Sequence, residues 1–199
     1  MVSLWTTTRG PGFRRWRAIS ENGNPFSFSA KRGIIEKQRR GCPVLNSTLC
    51  YLERGDEYLM LHRVKKKNDL NRDKWIGVGG KCEEGESPED CVLRETREET
   101  GLTLTDFRYR GLVTFVSDQA PTEYMHLFTA SAWTGAPIPC GEGELAWIKK
   151  AALRSLPMWA GDQIFLDLLE AGGPFFSLKL QYQGEKLSGA WLNGQPLKT

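Results

Sequence analysis

Residues 87–101 carry the start and stop signals of a single helix. Ser87 suits the N-cap, Pro88 suits the first helical position, and Asp90 places an acidic group in the first turn. Gly101 stands where a C′ glycine ends a helix in the left-handed conformation. Because both ends are marked, the phase of the helix is fixed, and so is the set of side chains that share each face.

Three glutamates, Glu95, Glu98 and Glu99, fall at positions i, i+3 and i+4 of this helix and therefore project from one face. Like charges at this spacing cost about 0.2–0.5 kcal/mol per pair. Carboxylates in the last turn also meet the negative end of the helix dipole, at about 0.3–1 kcal/mol each. A solvated acidic face is the common explanation, but this arrangement also predicts a compensating cation.

The turn before the helix contains Gly79 and Gly80, whose backbone carbonyls can approach a metal ion because no side chain obstructs them. Carboxylates on a rigid helix together with a carbonyl form an oxygen-only ligand set. Hard Mg²⁺ prefers such a set when it also binds a substrate's phosphates. The segment therefore predicts a magnesium site.

The stretch GGKCEEGESPEDCVLRETREETGL resembles the Nudix box. Its seven fixed identities, over 23 positions, are Gly80, Glu86, Arg94, Glu95, Glu98, Glu99 and Gly101, and Leu102 fits the final aliphatic position. Thr96 is the one departure, because the family usually has Leu or Val there. Seven identities at fixed spacing are a specific signal, and Thr96 should affect packing more than chemistry.

The resemblance implies an α/β fold, a Nudix-type α/β/α sandwich with a mixed β-sheet, over about residues 45–195. It implies hydrolysis of a diphosphate linkage with Mg²⁺, for which Mn²⁺ can substitute. Glu86 and Arg94 would form a supporting ion pair, and Glu95 is proposed as a base in some members. The implied metal ligands are the Gly80 carbonyl, Glu95, Glu98 and Glu99.

The rest of the chain reads as strands interleaved with few helices, which agrees with a mixed sheet. The predicted strands are Ser47–Leu52, Tyr58–Arg63, Phe107–Val116, Tyr124–Trp133 and Ala146–Ile148. Asp162–Glu170 is predicted as a second helix, and a terminal hairpin is predicted around Gln183 and Gly184.

A loop carboxylate often completes such a metal site, and Glu142 and Glu144 are both candidates. Glu142 is favoured because glycines flank it and allow the loop to swing inward; an exposed acidic turn is the alternative. Arg63 ends a strand where family members often carry a basic residue that holds a phosphate, although a surface arginine is nearly as good an interpretation. His62 and His126 are read as structural.

Trp159 and Asp162 match positions that form the base pocket of the oxidised-purine triphosphatases. The pattern departs at Gly161, where those enzymes have a second Asp, and at Ile76, where the human-type enzyme has an Asn. A purine pocket is therefore expected with fewer polar contacts. The alternative for Trp159 is an ordinary aromatic core residue.

Residues 1–44 are expected to be a basic, disordered extension, and residues 45–199 the Nudix domain. Residues 1–40 contain nine Lys or Arg and two Glu, so the remaining 18 basic and 22 acidic residues leave the domain at a net charge of −4. The extension is read as a dispensable leader, a mitochondrial transit peptide or a nucleic-acid-binding arm. Five cysteines without a spacing pattern favour a reducing compartment, and the expected location is cytoplasmic unless a transit peptide is present.

The expected activity is hydrolysis of a nucleoside triphosphate, with 8-oxo-dGTP or a related oxidised purine nucleotide preferred, to a nucleoside monophosphate and pyrophosphate. Alternatives are ADP-ribose or a dinucleoside polyphosphate as substrate, and a non-catalytic nucleotide sensor. The acidic domain argues against a nucleic-acid partner, and no apolar stretch is long enough to predict a membrane span.

Overall fold

A computed structural model describes residues 44–65 and 69–198. The strands are β1 (Leu45–Arg54), β2 (Glu57–His62), β3 (Trp75–Ile76), β4 (Leu102–Ser117), β5 (Glu123–Gly135), β6 (Glu144–Lys149), β7 (Phe176–Gln183), β8 (Lys186–Leu192) and β9 (Gln195–Pro196). The helices are α1 (Pro88–Thr100), α2 (Asp162–Glu170) and a 3₁₀ helix (Lys150–Ser155). The prediction for residues 1–44 falls, except for Val44, outside the described residues. No helix in the described ranges is long and apolar enough to cross a bilayer.

The nine strands form one mixed sheet in the order β3-β2-β1-β5-β4-β7-β8-β9, with β6 paired to β2. β1 runs parallel to β5 and β4 runs parallel to β7, whereas the other pairs are antiparallel. The predicted strands and the terminal hairpin are all present. This confirms the mixed sheet.

The two helices cover opposite faces of the sheet. Successive residues of a strand point to opposite faces, and in β1 Tyr51 packs into the core that holds α2, while Cys50 and Leu52 pack into the core that holds α1. Phe165 of α2 belongs to the first core and Val92 of α1 to the second. The α/β/α sandwich is therefore confirmed.

Helix α1 ends where its capping residues predict. The Ser87 hydroxyl accepts a hydrogen bond from the Asp90 amide, and the Asp90 carboxylate accepts one from the Ser87 amide, so the two form a reciprocal capping box. Gly101 adopts the left-handed conformation at φ 75° and donates to the Arg97 carbonyl. The chain then enters β4 at once, which places the last turn of α1 against the sheet.

Strand β4 begins at Leu102, five residues before the predicted start. Its pairing with β5 shifts register between Leu104 and Asp106, between Asp106 and Phe107, and between Tyr109 and Gly111. Each shift breaks the alternation of inward and outward side chains. The first two shifts lie between Leu104 and Phe107, and the sequence pattern therefore did not mark the strand before Phe107.

Candidate active site

The glycine turn before α1 is held by strand β1. The Thr48 amide donates to the Gly80 carbonyl at 2.8 Å, and the Cys82 amide donates to the Asn46 carbonyl at 3.0 Å. Gly79 has φ +149°, and a Cβ there would lie 2.1 Å from the Thr48 carbonyl oxygen. A side chain at Gly79 would therefore force the turn away from the strand.

The three helix glutamates have different surroundings. Glu99 is only 6% exposed, and its Oε2 accepts a hydrogen bond from the Gly79 amide at 2.8 Å. Glu95 lies over Gly80, where a Cβ would come within 2.5 Å of its carboxyl carbon. Glu98 is largely exposed. Two of the three carboxylates are therefore packed directly on the glycine turn.

Glu86 and Arg94 form the ion pair that the resemblance implies. Arg94 Nε donates to one Glu86 oxygen at 2.6 Å and Nη2 donates to the other at 2.9 Å, a bidentate geometry. Hydrogen bonds from Arg94 and from the Glu83 amide hold the pKa of Glu86 at about 2. Arg94 also donates to the Lys81 carbonyl at 3.0 Å, so it joins the turn to the helix.

Arg94 contacts two of the other glutamates through Nη1. The donor–acceptor distances are 2.8 Å to Glu95 and 3.2 Å to Glu98. One guanidinium therefore touches three carboxylates, which partly offsets their mutual repulsion. Glu99 is the helix glutamate that relies on the Gly79 amide instead.

Burial raises the pKa of Glu99 to about 8. The Gly79 amide and Arg63 oppose this shift, while the negative charges of Glu142 and Glu95 add to it. Carboxylates from the helix and from the distant loop therefore share one electrostatic environment. This buried site is short of positive charge.

Arg63 lies beside the loop carboxylate Glu142. Arg63 is 9% exposed, and its guanidinium donates to Asp69 at 2.7 Å through Nε and to Glu142 through Nη1. Two candidates 79 residues apart in sequence thus form one ion pair. Asp69 is a partner that sequence reasoning missed, although it is an acidic residue next to a basic run. Glu144, the other candidate, is exposed on β6.

Trp159 and Asp162 lie beside the loop between β2 and β3, which also carries Arg63 and Asp69. Trp159 is 5% exposed, and its Nε1 donates to Asn71 Oδ1 at 2.8 Å. The Lys74 ammonium lies 4.6 Å from the centre of the Trp159 ring. Asn71 and Lys74 were not anticipated, because a polar loop gives no periodic signal. In this conformation Lys74 covers the indole face that a base would need.

Asp162 is 7% exposed, and burial raises its pKa to about 7, with the Trp159 amide and Lys74 opposing the shift.

The Gly161 amide donates to the Tyr182 hydroxyl at 2.8 Å, and a Cβ at Gly161 would lie 2.7 Å from that oxygen. The Tyr182 hydroxyl therefore occupies space that a side chain at position 161 would require. This explains the absence of the second Asp.

Ile76, the other departure from the human-type pattern, is a packing residue. It is 8% exposed and forms a small core with Leu61 and Cys140. An apolar side chain at this position stabilises the edge of the sheet below the loop that carries Glu142. It offers no polar contact to a base.

Residues 44–169 match the model of the NUDIX domain. The chain belongs to the Nudix family. An uncharacterised Nudix hydrolase, YvcI, of Bacillus subtilis is 35% identical over 130 residues, which cover 63% of this chain and 78% of that protein. An oxidised purine nucleoside triphosphate hydrolase of Danio rerio is 33% identical over 106 residues, 52% of this chain and 67% of that protein.

The structure also superposes on a crystal structure of the mutator MutT protein from Bacillus halodurans, with a TM-score of 0.67 and 27% identity. The match covers 76% of this chain and 99% of that one. The protein is therefore a Nudix hydrolase with the MutT-like fold. Nudix hydrolases generally use divalent metal ions.

The donor set of this Nudix site fits a hard divalent ion in its chemistry, since it consists of carboxylates, a glycine turn and a buried excess of negative charge. Within the described ranges, however, no three His, Cys, Asp or Glu side chains are gathered closely enough to hold one ion. Arg94 and Arg63 engage Glu95, Glu98 and Glu142 instead.

The predicted carbonyl ligand, Gly80, also has a structural role in the turn. Its carbonyl accepts a hydrogen bond from the Thr48 amide at 2.8 Å and faces the Cys91 thiol at 3.6 Å. Gly80 therefore helps to hold the turn against β1.

We predict that Glu99→Gln stabilises the metal-free protein at pH 8.5 by on the order of 2 kcal/mol. The pKa of Glu99 is about 8 in the folded protein against an ordinary 4.5, so the folded state holds the extra proton between these values. Stability contributed by this group is complete below pH 4.5 and falls as the pH rises through 8. Urea denaturation with a chelator at pH 4.5 and 8.5 measures the difference.

The exposed Glu98→Gln is the matched control, because the same change of charge at a solvated position should alter stability far less. Equal effects of the two variants, or a Glu99→Gln gain that does not grow with pH, would contradict the assignment of Glu99 as a destabilised buried carboxylate.

Proposed function

We propose that this protein is a Mg²⁺-dependent nucleoside triphosphate diphosphatase that prefers an oxidised purine nucleotide such as 8-oxo-dGTP. The products would be a nucleoside monophosphate and pyrophosphate. The observation that carries the proposal is the loop between β2 and β3. Arg63, its first residue, contacts Asp69 and the loop carboxylate Glu142, and Asn71 and Lys74, nearer its end, contact Trp159. A phosphate site and a base site would thus share one connecting segment.

Five groups would hold the metal: the carboxylates of Glu95, Glu98, Glu99 and Glu142 and the Gly80 carbonyl. A divalent ion supplies charge neutralisation on phosphate oxygens and activation of the attacking water, with Mn²⁺ as a substitute for Mg²⁺. Glu86 and Arg94 would act through the geometry of the turn, because their ion pair joins it to α1. Glu95 remains the proposed base.

Arg63 would hold a phosphate group. Its guanidinium is paired with Glu142 and Asp69. If Glu142 held the metal, one edge of the guanidinium would be available, and a planar donor fork suits a phosphate. Asp69 would keep the arginine in place.

Trp159 and Asp162 would bind the base. Lys74 has to leave the indole face before a purine can stack there. Guanine presents an acceptor at N7, whereas 8-oxoguanine presents an N7–H donor. A carboxylate accepts from a donor, and only the protonated acid can donate to an acceptor. With a pKa of about 7, Asp162 changes between these two states near neutrality.

Support for the purine nucleotide comes from the pocket residues and from the name of the Danio rerio relative. ADP-ribose and dinucleoside polyphosphates remain alternative substrates. A Nudix protein named NAD-capped RNA hydrolase in Pseudomonas fluorescens is 30% identical over 114 residues, but these cover only 38% of that protein. We propose a cytoplasmic location, or a mitochondrial one if residues 1–44 form a transit peptide.

The test of the activity is a substrate panel with Mg²⁺ in which pyrophosphate and orthophosphate release are measured separately. We expect 8-oxo-dGTP to have the highest kcat/KM and to release pyrophosphate. The Glu99→Gln protein should lose most turnover on every substrate, because the metal loses its buried ligand. A higher kcat/KM for ADP-ribose or a dinucleoside polyphosphate would contradict the assignment of a purine triphosphate as substrate. Full activity of Glu99→Gln would show that the carboxylate cluster takes no part in the reaction.

We predict that Asp162→Ala lowers kcat/KM for 8-oxo-dGTP by about 10- to 100-fold, equivalent to roughly 1.4–2.7 kcal/mol, with a smaller effect on dGTP. The reason is that a site built for one hydrogen-bonding pattern loses most when its polar group is removed. In the wild type, the ratio of 8-oxo-dGTP to dGTP activity should increase as the pH rises through 7. Initial rates of both nucleotides from pH 6 to 8.5 measure it.

Trp159→Ala is the control, because loss of stacking should weaken both nucleotides alike. If Asp162→Ala leaves the ratio of the two nucleotides unchanged, Asp162 does not read the base.

A further inference from the structure

The hairpin of β7 and β8 is tied to the residues that would bind the base, Trp159 and Asp162, which together form the base site. This hairpin lies beyond residue 169, where the match to the Nudix domain ends. Its turn is anchored to the segment after β4, because the Gly184 amide donates to Asp118 Oδ1 at 2.9 Å. The hairpin is therefore a fixed neighbour of the base site.

Tyr182, on β7, contacts both halves of the base site. Its hydroxyl accepts a hydrogen bond from the Gly161 amide at 2.8 Å. Gly161 immediately precedes Asp162, the first residue of α2. The Tyr182 ring also packs edge-on to the Trp159 ring, with the ring centres 5.1 Å apart. One side chain therefore holds the backbone in front of the carboxylate and also the ring on which a base would stack.

Glu185, in the turn of the hairpin, contacts the base site through Lys74. Its Oε1 accepts a hydrogen bond from Lys74 Nζ at 2.9 Å, and that ammonium lies 4.6 Å from the centre of the Trp159 ring. The side chain of Lys74 is only 14% exposed, whereas that of Glu185 is 75% exposed. The carboxylate therefore holds the ammonium over the indole from the solvent side.

We propose that the β7–β8 hairpin is part of the base site and that Tyr182 and Glu185 are its positioning residues. Tyr182 sets the position of Asp162 relative to the indole, and therefore the selectivity between two bases. Glu185 holds Lys74 where an incoming base has to displace it, so it weakens the binding of every base by the same factor. The proposal rests on the proposed function, which takes Trp159 and Asp162 as the residues that bind the base.

A purely structural role is the competing explanation for Tyr182, because this residue is 2% exposed and belongs to the core that holds α2. Loss of its ring would disturb that core whatever the ring does for a base. Removal of the hydroxyl alone separates the two explanations. Tyr58 offers the matched control, because its hydroxyl is buried in the same core and has no hydrogen-bond partner among residues 44–65 and 69–198.

The first test compares Tyr182→Phe with Tyr58→Phe by amide hydrogen exchange in the full chain without nucleotide. Loss of the acceptor at Tyr182 should speed exchange of the Gly161 amide by about 10-fold or more, whereas Tyr58→Phe should leave it at the wild-type rate. Thermal unfolding of both variants shows that the fold is kept. Unchanged exchange at Gly161 in folded Tyr182→Phe would overturn the role of the hydroxyl.

The second test measures kcat and KM for 8-oxo-dGTP and dGTP in the same two variants. Tyr182→Phe should lower the ratio of 8-oxo-dGTP to dGTP activity by about 3- to 10-fold, mainly through KM, because Asp162 loses its fixed position. Tyr58→Phe should keep the wild-type ratio. An unchanged ratio in Tyr182→Phe, or an equal fall in both variants, would show that Tyr182 only packs the core.

The role of Glu185 has its own variants in this assay. Glu185→Gln should lower KM for both nucleotides alike, by about 2- to 5-fold, because Lys74 is no longer held over the indole. Lys74→Met should have the same effect, and the two changes together should do no more than either alone. Glu57→Gln is the control, since it removes an ion pair of similar length, with Arg54 at 2.8 Å, on the β1–β2 hairpin. A KM that Glu185→Gln leaves unchanged or raises, or that Glu57→Gln lowers equally, would overturn this role.

These results are distinguishable from a failure of the proposed function. Hydrogen exchange at Gly161 requires no substrate. If the substrate panel favours another nucleotide, the purine assignment fails, and the hairpin is tested with that nucleotide instead. A lower KM in Glu185→Gln and a higher KM in Tyr182→Phe would then support the hairpin as part of the base site, whereas an unchanged KM in both variants would overturn it.

Discussion

The hydrogen bond between the Gly79 amide and the buried carboxylate of Glu99 is the contact on which the rest of the site depends. It fixes the last turn of α1 against the turn that follows β3, at a point where the Gly79 backbone excludes any side chain. Glu95 is then seated over Gly80, and Arg94 is directed towards Glu86. A negative charge that is buried in this way is costly, and its cost is the physical reason to expect a cation.

Two arginines pair with the carboxylates around Glu99. Arg94 contacts Glu86, Glu95 and Glu98, and Arg63 contacts Asp69 and Glu142. Glu99 itself accepts a hydrogen bond from the Gly79 amide instead. If Glu142 held the metal, Arg63 would be available to a phosphate, so metal and substrate would favour the same arrangement.

Much of this arrangement was predictable because it is local in sequence. Helix α1 was defined by Ser87 and Gly101, and the glutamate face followed from its periodicity. The partners of Arg63 were not predictable in the same way, because Glu142 lies 79 residues away and only the pairing of β2 with β6 brings the two loops together. Asn71 and Lys74 lie in a loop whose sequence has no hydrophobic periodicity, so they gave no signal. The Tyr182 hydroxyl fills the space beside Gly161, and a contact between residues so far apart in sequence cannot be predicted from the local pattern. The bulges near Asp106 concealed the start of β4 for a related reason, since they interrupt the alternation that marks a strand.

The central claim, that one metal site is built from the helix carboxylates and the loop carboxylate, is tested most directly by calorimetric titration of the protein with Mn²⁺ in the absence of nucleotide. Wild type should bind, and Glu99→Gln and Glu142→Gln should each weaken binding by at least 10-fold, about 1.4 kcal/mol. Glu144→Gln, an exposed glutamate two residues from Glu142, should bind as wild type does. Equal weakening by Glu142→Gln and Glu144→Gln, or unchanged binding by Glu99→Gln, would contradict the account.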